Sequence, residues 1–164
     1  MWRGWLKLNA EFASTLQREL QQDAGLSMQD YEVLVHLTDN PDGRVRVTEL
    51  AGLLQWERSR VSHHIKRMEH RRLVKRAECS EDGRGAFVVL TPQGRAAIEE
   101  AAPSHVMTVR RLMFDALSEE DKAALAAVID KLLARTGDAH GLRSLHVDNV
   151  YADPRDAGVA PRGP

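Results

Sequence analysis

At 164 residues, 43% hydrophobic and 29% charged, the chain is long enough to bury a core of its own without disulfides. A single cysteine, Cys79, cannot close a bridge within the chain, and no apolar run approaches the roughly 18 residues of a membrane span. The net charge of −1 argues against a general polyanion binder, yet Arg44 to Arg95 holds twelve Lys/Arg against six Asp/Glu, while the remainder holds eleven against eighteen.

The start, M-W-R-G-W-L-K-L-N-A-E, alternates apolar and polar residues and lacks a signal-peptide core, so a cytoplasmic setting is expected. Trp2, Trp5, Leu6, Phe12, Ala13, Leu16 and Leu20 recur at three- and four-residue steps, which predicts an amphipathic helix over 2–22 ended by Gly25. Ser27-Met28-Gln29-Asp30 has the polar N-cap and acidic third residue of a helix start. The helix that follows carries Tyr31, Val33, Leu34 and Leu37 to the turn N-P-D-G at 40–43. Arg44 to Val47 alternates basic and β-branched residues, as a very short strand does, and Thr48 is placed to cap a short helix, Glu49 to Leu54.

After a turn through Gln55 and Trp56, a longer helix is expected over about 57–71. Two β-prone runs follow, Leu73 to Cys79 and Ala86 to Leu90, joined by the glycine-rich S-E-D-G-R-G as a hairpin. Thr91-Pro92 supplies an N-cap with proline in the first helical position. The helix from there should kink or break at Pro103, since proline removes a backbone donor. Ser118 to Asp121 starts a last helix with Leu125, Val128, Ile129, Leu132 and Leu133 on its apolar face and Gly137 at its end; 138–164 reads as a tail. Short helix, tight turn, longer helix and hairpin make a winged helix-turn-helix. The fold class expected is mainly α with a small β-hairpin wing.

On a helical wheel for 57–71, Val61, Ile65 and Met68 share one narrow sector and must face a core. Opposite lie Ser59, His63, Lys66, Arg67 and His70, with Arg60, His64 and Arg71 on one flank. Carboxylates stand only at the margins, Glu57 and Glu69. An ordinary solvated helix interleaves both signs of charge, whereas this face suits duplex DNA. Arg60 and Arg67 are candidates for paired hydrogen bonds to guanine, with Ser59, Ser62 and Lys66 as phosphate contacts and His63 and His64 beside them. Arg84, between two glycines at the hairpin tip, can enter a minor groove; it is equally the kind of arginine that merely solubilises a turn.

The stretches S-R-V-S-H-H-I-K-R-M-E at 59–69 and D-G-R-G-A-F-V-V-L-T-P-Q-G-R at 82–95 resemble the MarR family of bacterial regulators. Asp82, Arg84, Leu90 and Thr91 match its wing signature, and the resemblance extends over about residues 2–135. It implies one domain over 1–137, with the reading head at about 27–91 and dimerisation helices at about 2–22 and 92–136. Recognition helices would occupy adjacent major grooves, and wing arginines the flanking minor grooves, Asp82 holding Arg84 in position. Interface candidates are Trp2, Leu6, Leu112, Phe114, Leu125, Val128 and Leu132, on stripes that exceed what so small a domain buries alone. It further implies a small-molecule effector that changes the spacing of the reading heads of a ligand-responsive repressor, with Trp5 and Tyr31 as pocket candidates. One departure is visible: the family commonly has glycine just after the recognition helix, where this chain has Arg72.

Other readings are weaker. No pair of histidines shares the spacing and neighbouring glutamate of a zinc enzyme, so neither a metal nor a cofactor is expected. The cysteine used for redox sensing by some members lies in the first helix, unlike Cys79. Histidines 63, 64 and 70 beside DNA would make affinity rise as pH falls through about 6.5. No nucleophile–base pair, phosphate loop or spaced carboxylate pair suggests an enzyme. The alternative is a winged-helix interaction module that does not bind DNA, against which the basic arc argues.

Overall fold

The computed structural model describes residues 1–78 and 85–140, with 136–140 as backbone only. These residues form a compact unit from Met1 to His105 and a second that begins at Val106.

In the first unit, α1 (Trp2–Ala24) stops at Gly25, whose φ of 61° lets the Leu26 N–H return to the Leu20 carbonyl. Only Leu20 of α1 is buried, and every residue from Met1 to Glu11 is exposed. Ser27 caps α2 (Met28–Asp39) as its sequence predicts: its hydroxyl accepts the Asp30 N–H, and the Asp30 carboxylate accepts the Ser27 N–H. The chain then passes through β1 (Arg44–Arg46) directly into α3 (Val47–Leu53). Thr48 is therefore not the cap expected of it. The helix begins at Val47 with Arg46 in the capping position and no side-chain cap bond, because the strand leads straight into the first turn.

Beyond α3 come α4 (Arg58–His70) and the strands β2 (Val74–Glu78) and β3 (Ala86–Leu90). The antiparallel sheet has the order β1-β3-β2, with Val45 and Arg76 both opposite Val88. Alternation along the strands turns Val45, Val74 and Val88 inward, where they join Leu34, Leu37, Leu50, Val61, Ile65 and Met68 in the core. This is the winged helix-turn-helix expected from the sequence.

Besides Gly43 (φ 61°), two residues of the head that are not glycine are left-handed. Gln55 (φ 55°) closes α3, with its N–H on the Gly52 carbonyl and the Trp56 N–H on Ala51. Arg72 (φ 59°) closes α4 in the same way, with its N–H on Glu69 and that of Leu73 on Met68. The left-handed turn suggested by the resemblance is thus kept without glycine, at a strain of about 1 kcal/mol.

Thr91 caps α5 (Pro92–Val109) by accepting the Gly94 N–H, while its hydroxyl also lies 2.6 Å from the Arg72 carbonyl and 2.9 Å from that of Leu73. A Cβ on Gly94 would stand 2.0 Å from the Leu73 oxygen, so only glycine permits this approach. The break expected at Pro103 does not occur. The helix runs on to Val109, because Pro103 is exposed and the carbonyl it leaves without a donor can turn to water.

In the second unit, a π-helical turn (Arg110–Phe114) precedes α6 (Glu119–His140). Ser118 and Asp121 exchange the reciprocal bonds of a capping box. Gly137 does not end α6; a glycine weakens a helix without terminating it unless the backbone turns left-handed there. The expected tail lies, from residue 141, outside the described residues.

Candidate nucleic-acid interface

On its inner side α4 is packed as the helical wheel predicts. Val61, Ile65 and Met68 are wholly buried. Ser59, Arg60, His63, Lys66, Arg67 and His70 are exposed, and Ser62 is half-buried at the margin. Glu69 is drawn aside, its carboxylate accepting the Arg76 N–H at 2.7 Å and pairing with the Arg76 guanidinium at 3.6 Å. That guanidinium also donates to the Ser62 carbonyl, so β2 is pinned to α4.

His64 is the correction. It was expected at the DNA face but is buried, because the start of α2 covers that flank of α4. Its Nε2 lies 3.1 Å from Asp30 Oδ1, within ion-pair range but off the line of a regular hydrogen bond. Its Nδ1 lies 2.8 Å from an Arg67 Nη. Asp30 also accepts from Arg71 at 2.6 Å, and Arg71 donates to the Gly25 carbonyl at 2.6 Å. Burial alone would raise the Asp30 carboxyl, but the close His64 ring and the bonds from the Ser27 backbone, Arg71 and the Ser27 side chain outweigh it and hold it well below the usual carboxylate range. Arg71 is thereby a clamp on α2. Of the three histidines expected to titrate beside DNA, only His63 and His70 are exposed.

Arg60 lies over the Trp56 ring, 4.2 Å from its centroid, and Trp56 meets His64 edge-on at 5.3 Å. Both arginines singled out for base contact are therefore held from behind. Sequence reasoning passed over Trp56 as a turn residue; an aromatic just before a basic helix was the available signal.

It also missed a cleft of ≈ 270 Å³ lined by Arg46, Arg58, Ser62, Arg76, Gly85 and Phe87, among others. Arg44 and Arg46 flank Phe87 at 4.9 and 5.2 Å from its centroid. The alternation R-V-R-V was the clue, since it sets both arginines opposite the buried Val45.

Arg84, Asp82 and Cys79 lie outside the described residues. Among the interface candidates, Trp2, Leu6, Val128 and Leu132 are exposed, and Leu112, Phe114 and Leu125 are half-buried. The two pocket candidates do not share an environment: Trp5 is exposed, whereas Tyr31 is buried with its ring 4.4 Å from that of His105. Burial pushes the His105 imidazole below its ordinary range, against the charge of Glu19. Among the described residues no group of three or more His, Cys, Asp or Glu is arranged to hold a metal ion, and no helix is long and apolar enough to cross a membrane.

The family model for the MarR family matches residues 24–85, from the end of α1 into the wing. AbsC of Streptomyces coelicolor, a MarR family transcriptional regulator, is 39% identical with a TM-score of 0.76 over 84% of this chain and 90% of its own. Sco3205 of the same organism, a MarR family regulator solved in complex with DNA, is 35% identical with a TM-score of 0.77 over 90% of this chain and 88% of its own. The HTH-type transcriptional repressor YetL of Bacillus subtilis is 27% identical over 111 residues; the match takes in 68% of this chain but just under two thirds, 66%, of YetL. Identity at this level, over nearly the whole of both chains and on the same fold, settles the relationship: the chain belongs to the MarR family of transcriptional regulators.

Proposed function

We propose that this chain is a DNA-binding repressor that works as a homodimer and sets its two α4 helices into neighbouring major grooves of a pseudo-palindromic operator. The observation that carries the reading is the sorting of α4, with a wholly apolar core trio inside and a cationic surface outside, whose one carboxylate, Glu69, is drawn aside to Arg76. Arg60 and Arg67 offer planar forks that match guanine O6 and N7, while Ser59, Ser62 and Lys66 are placed for phosphates, with His63 between them. The complex of Sco3205 with DNA and the repressor YetL support the same assignment.

Pairing doubles a set of contacts that one head makes too few of, over half-sites about one helical turn apart. The exposed apolar residues of α1 and α6, Trp2, Leu6, Val128 and Leu132, suit that pairing. Arg84 is assigned to the minor groove, with Asp82 as its support, and a cytoplasmic setting and a small-molecule effector complete the reading. An effector that shifts the spacing of the heads would mismatch them to their half-sites.

The test is selection of duplexes from a random pool by the purified protein, followed by affinity measured against salt. An enriched two-fold motif with a steep salt dependence is expected. Lys66→Ala should lower the slope of log K against log salt by about 1 while leaving the motif unchanged. No enrichment would instead favour an interaction module.

A further inference from the structure

His64 occupies a place on α4 where a leucine would have sufficed. It is 5% exposed, next to three core residues with no exposure at all. Burying a polar ring there is costly unless its nitrogens are used. Their use is asymmetric. A guanidinium has only donors, so the 2.8 Å contact with Arg67 requires that Nδ1 accept. Nδ1 therefore carries no proton, and in the neutral ring the proton sits on Nε2, toward Asp30 at 3.1 Å. Asp30 is itself fixed by the Ser27 N–H and by Arg71, and Arg71 by the Gly25 carbonyl. Trp56, perpendicular to the imidazole at 5.3 Å between centroids, bounds it on another side.

A line of contacts thus runs from the end of α1 through the base of α2 to Arg67 on the outer face of α4. An exposed arginine ordinarily samples many rotamers, and fixing one of its nitrogens removes part of the ordering cost of binding. We propose that His64 is a positioning residue for DNA readout: through its Nδ1 lone pair it holds the Arg67 guanidinium in the orientation that reads a base, without itself touching DNA. The inference rests on the assignment of α4 as the recognition helix.

Two variants separate its nitrogens. In His64→Asn the amide oxygen stands near the Nδ1 position and can still accept from Arg67. In His64→Gln the amide nitrogen stands near Nε2 and still faces Asp30, but the acceptor for Arg67 is lost. The readout is the ratio of affinities for a duplex selected by the wild type and for a scrambled duplex of equal length and composition. Arg67→Ala should reduce this ratio about tenfold. H64Q should reduce it by the same factor, with no further loss in the double variant, whereas H64N should stay with the wild type.

A wild-type ratio in H64Q, alongside a reduced one in R67A, would overturn the proposal and leave DNA recognition standing. An unchanged ratio in R67A would overturn it too, since Arg67 would then have nothing to read. If the wild type enriches no duplex, the DNA reading itself fails. Nitrogen-15 NMR of the unaltered protein gives an arm that does not depend on the His64 variants folding. His64 should show an unprotonated Nδ1 and a protonated Nε2, with the Nδ1 resonance moved by R67A; the opposite tautomer contradicts the proposal.

Discussion

Replacing Asp30 by alanine is expected to destabilise the protein by about 3 kcal/mol at neutral pH, the scale set by removing one partner of a buried ion pair. The change strips two hydrogen bonds and one close ion-pair contact at once. The Ser27 N–H loses its acceptor, His64 keeps a buried Nε2 facing nothing, and Arg71 loses its tie to α2. Arg71 is nearly half exposed and can return to water, which keeps the cost at the lower end for buried pairs. The pH dependence has a definite sign. A carboxyl held below its unfolded pKa in the native state contributes stability above that pKa and loses it as the pH falls toward the folded value. Urea unfolding should therefore show the wild type losing its margin over D30A progressively below about pH 4, with the two converging in strong acid. A margin independent of pH would show that the carboxylate contributes no more than packing.

Gly94→Ala separates local propensity from contact. In an exposed helix, alanine would be favoured over glycine by about 1 kcal/mol. Here the added Cβ would lie 2.0 Å from the Leu73 oxygen, 2.9 Å from its carbon and 3.0 Å from a Leu90 methyl. The Leu73 carbonyl cannot yield freely, because it accepts the Thr91 N–H and its hydroxyl. The start of α5 must instead move off the end of α4 and the wing, and the expected loss is on the order of 3 kcal/mol. Thermal unfolding checks it, and a G94A variant as stable as the wild type would mean that the approach is looser than described.

Much of this was legible in the sequence because periodicity and capping are local. The three-residue set Val61, Ile65 and Met68, the Ser27–Asp30 box, the R-V-R strand and the Thr91-Pro92 start all depend on neighbours a few residues away. What escaped depends on contacts across the fold. A wheel puts His64 on a flank, but only the packing of α2 decides that the flank is covered, and the partner that covers it stands 34 positions earlier, at Asp30. The same holds for Arg76, whose tie to Glu69 and Ser62 follows from how β2 folds back on α4. Arg72 is the intermediate case: the sequence showed a missing glycine, and the structure shows that two backbone bonds keep the left-handed turn without it.

Guanine N7 faces the major groove and is methylated by dimethyl sulfate unless a protein covers it, so protection at that atom tests where α4 goes. On a duplex selected by the wild type, two protected clusters about one helical turn apart are expected, and R60A/R67A should lose that protection while retaining its fold. Bound DNA with every N7 still reactive, or with protection unchanged in the double variant, would contradict the assignment of α4 to the major groove.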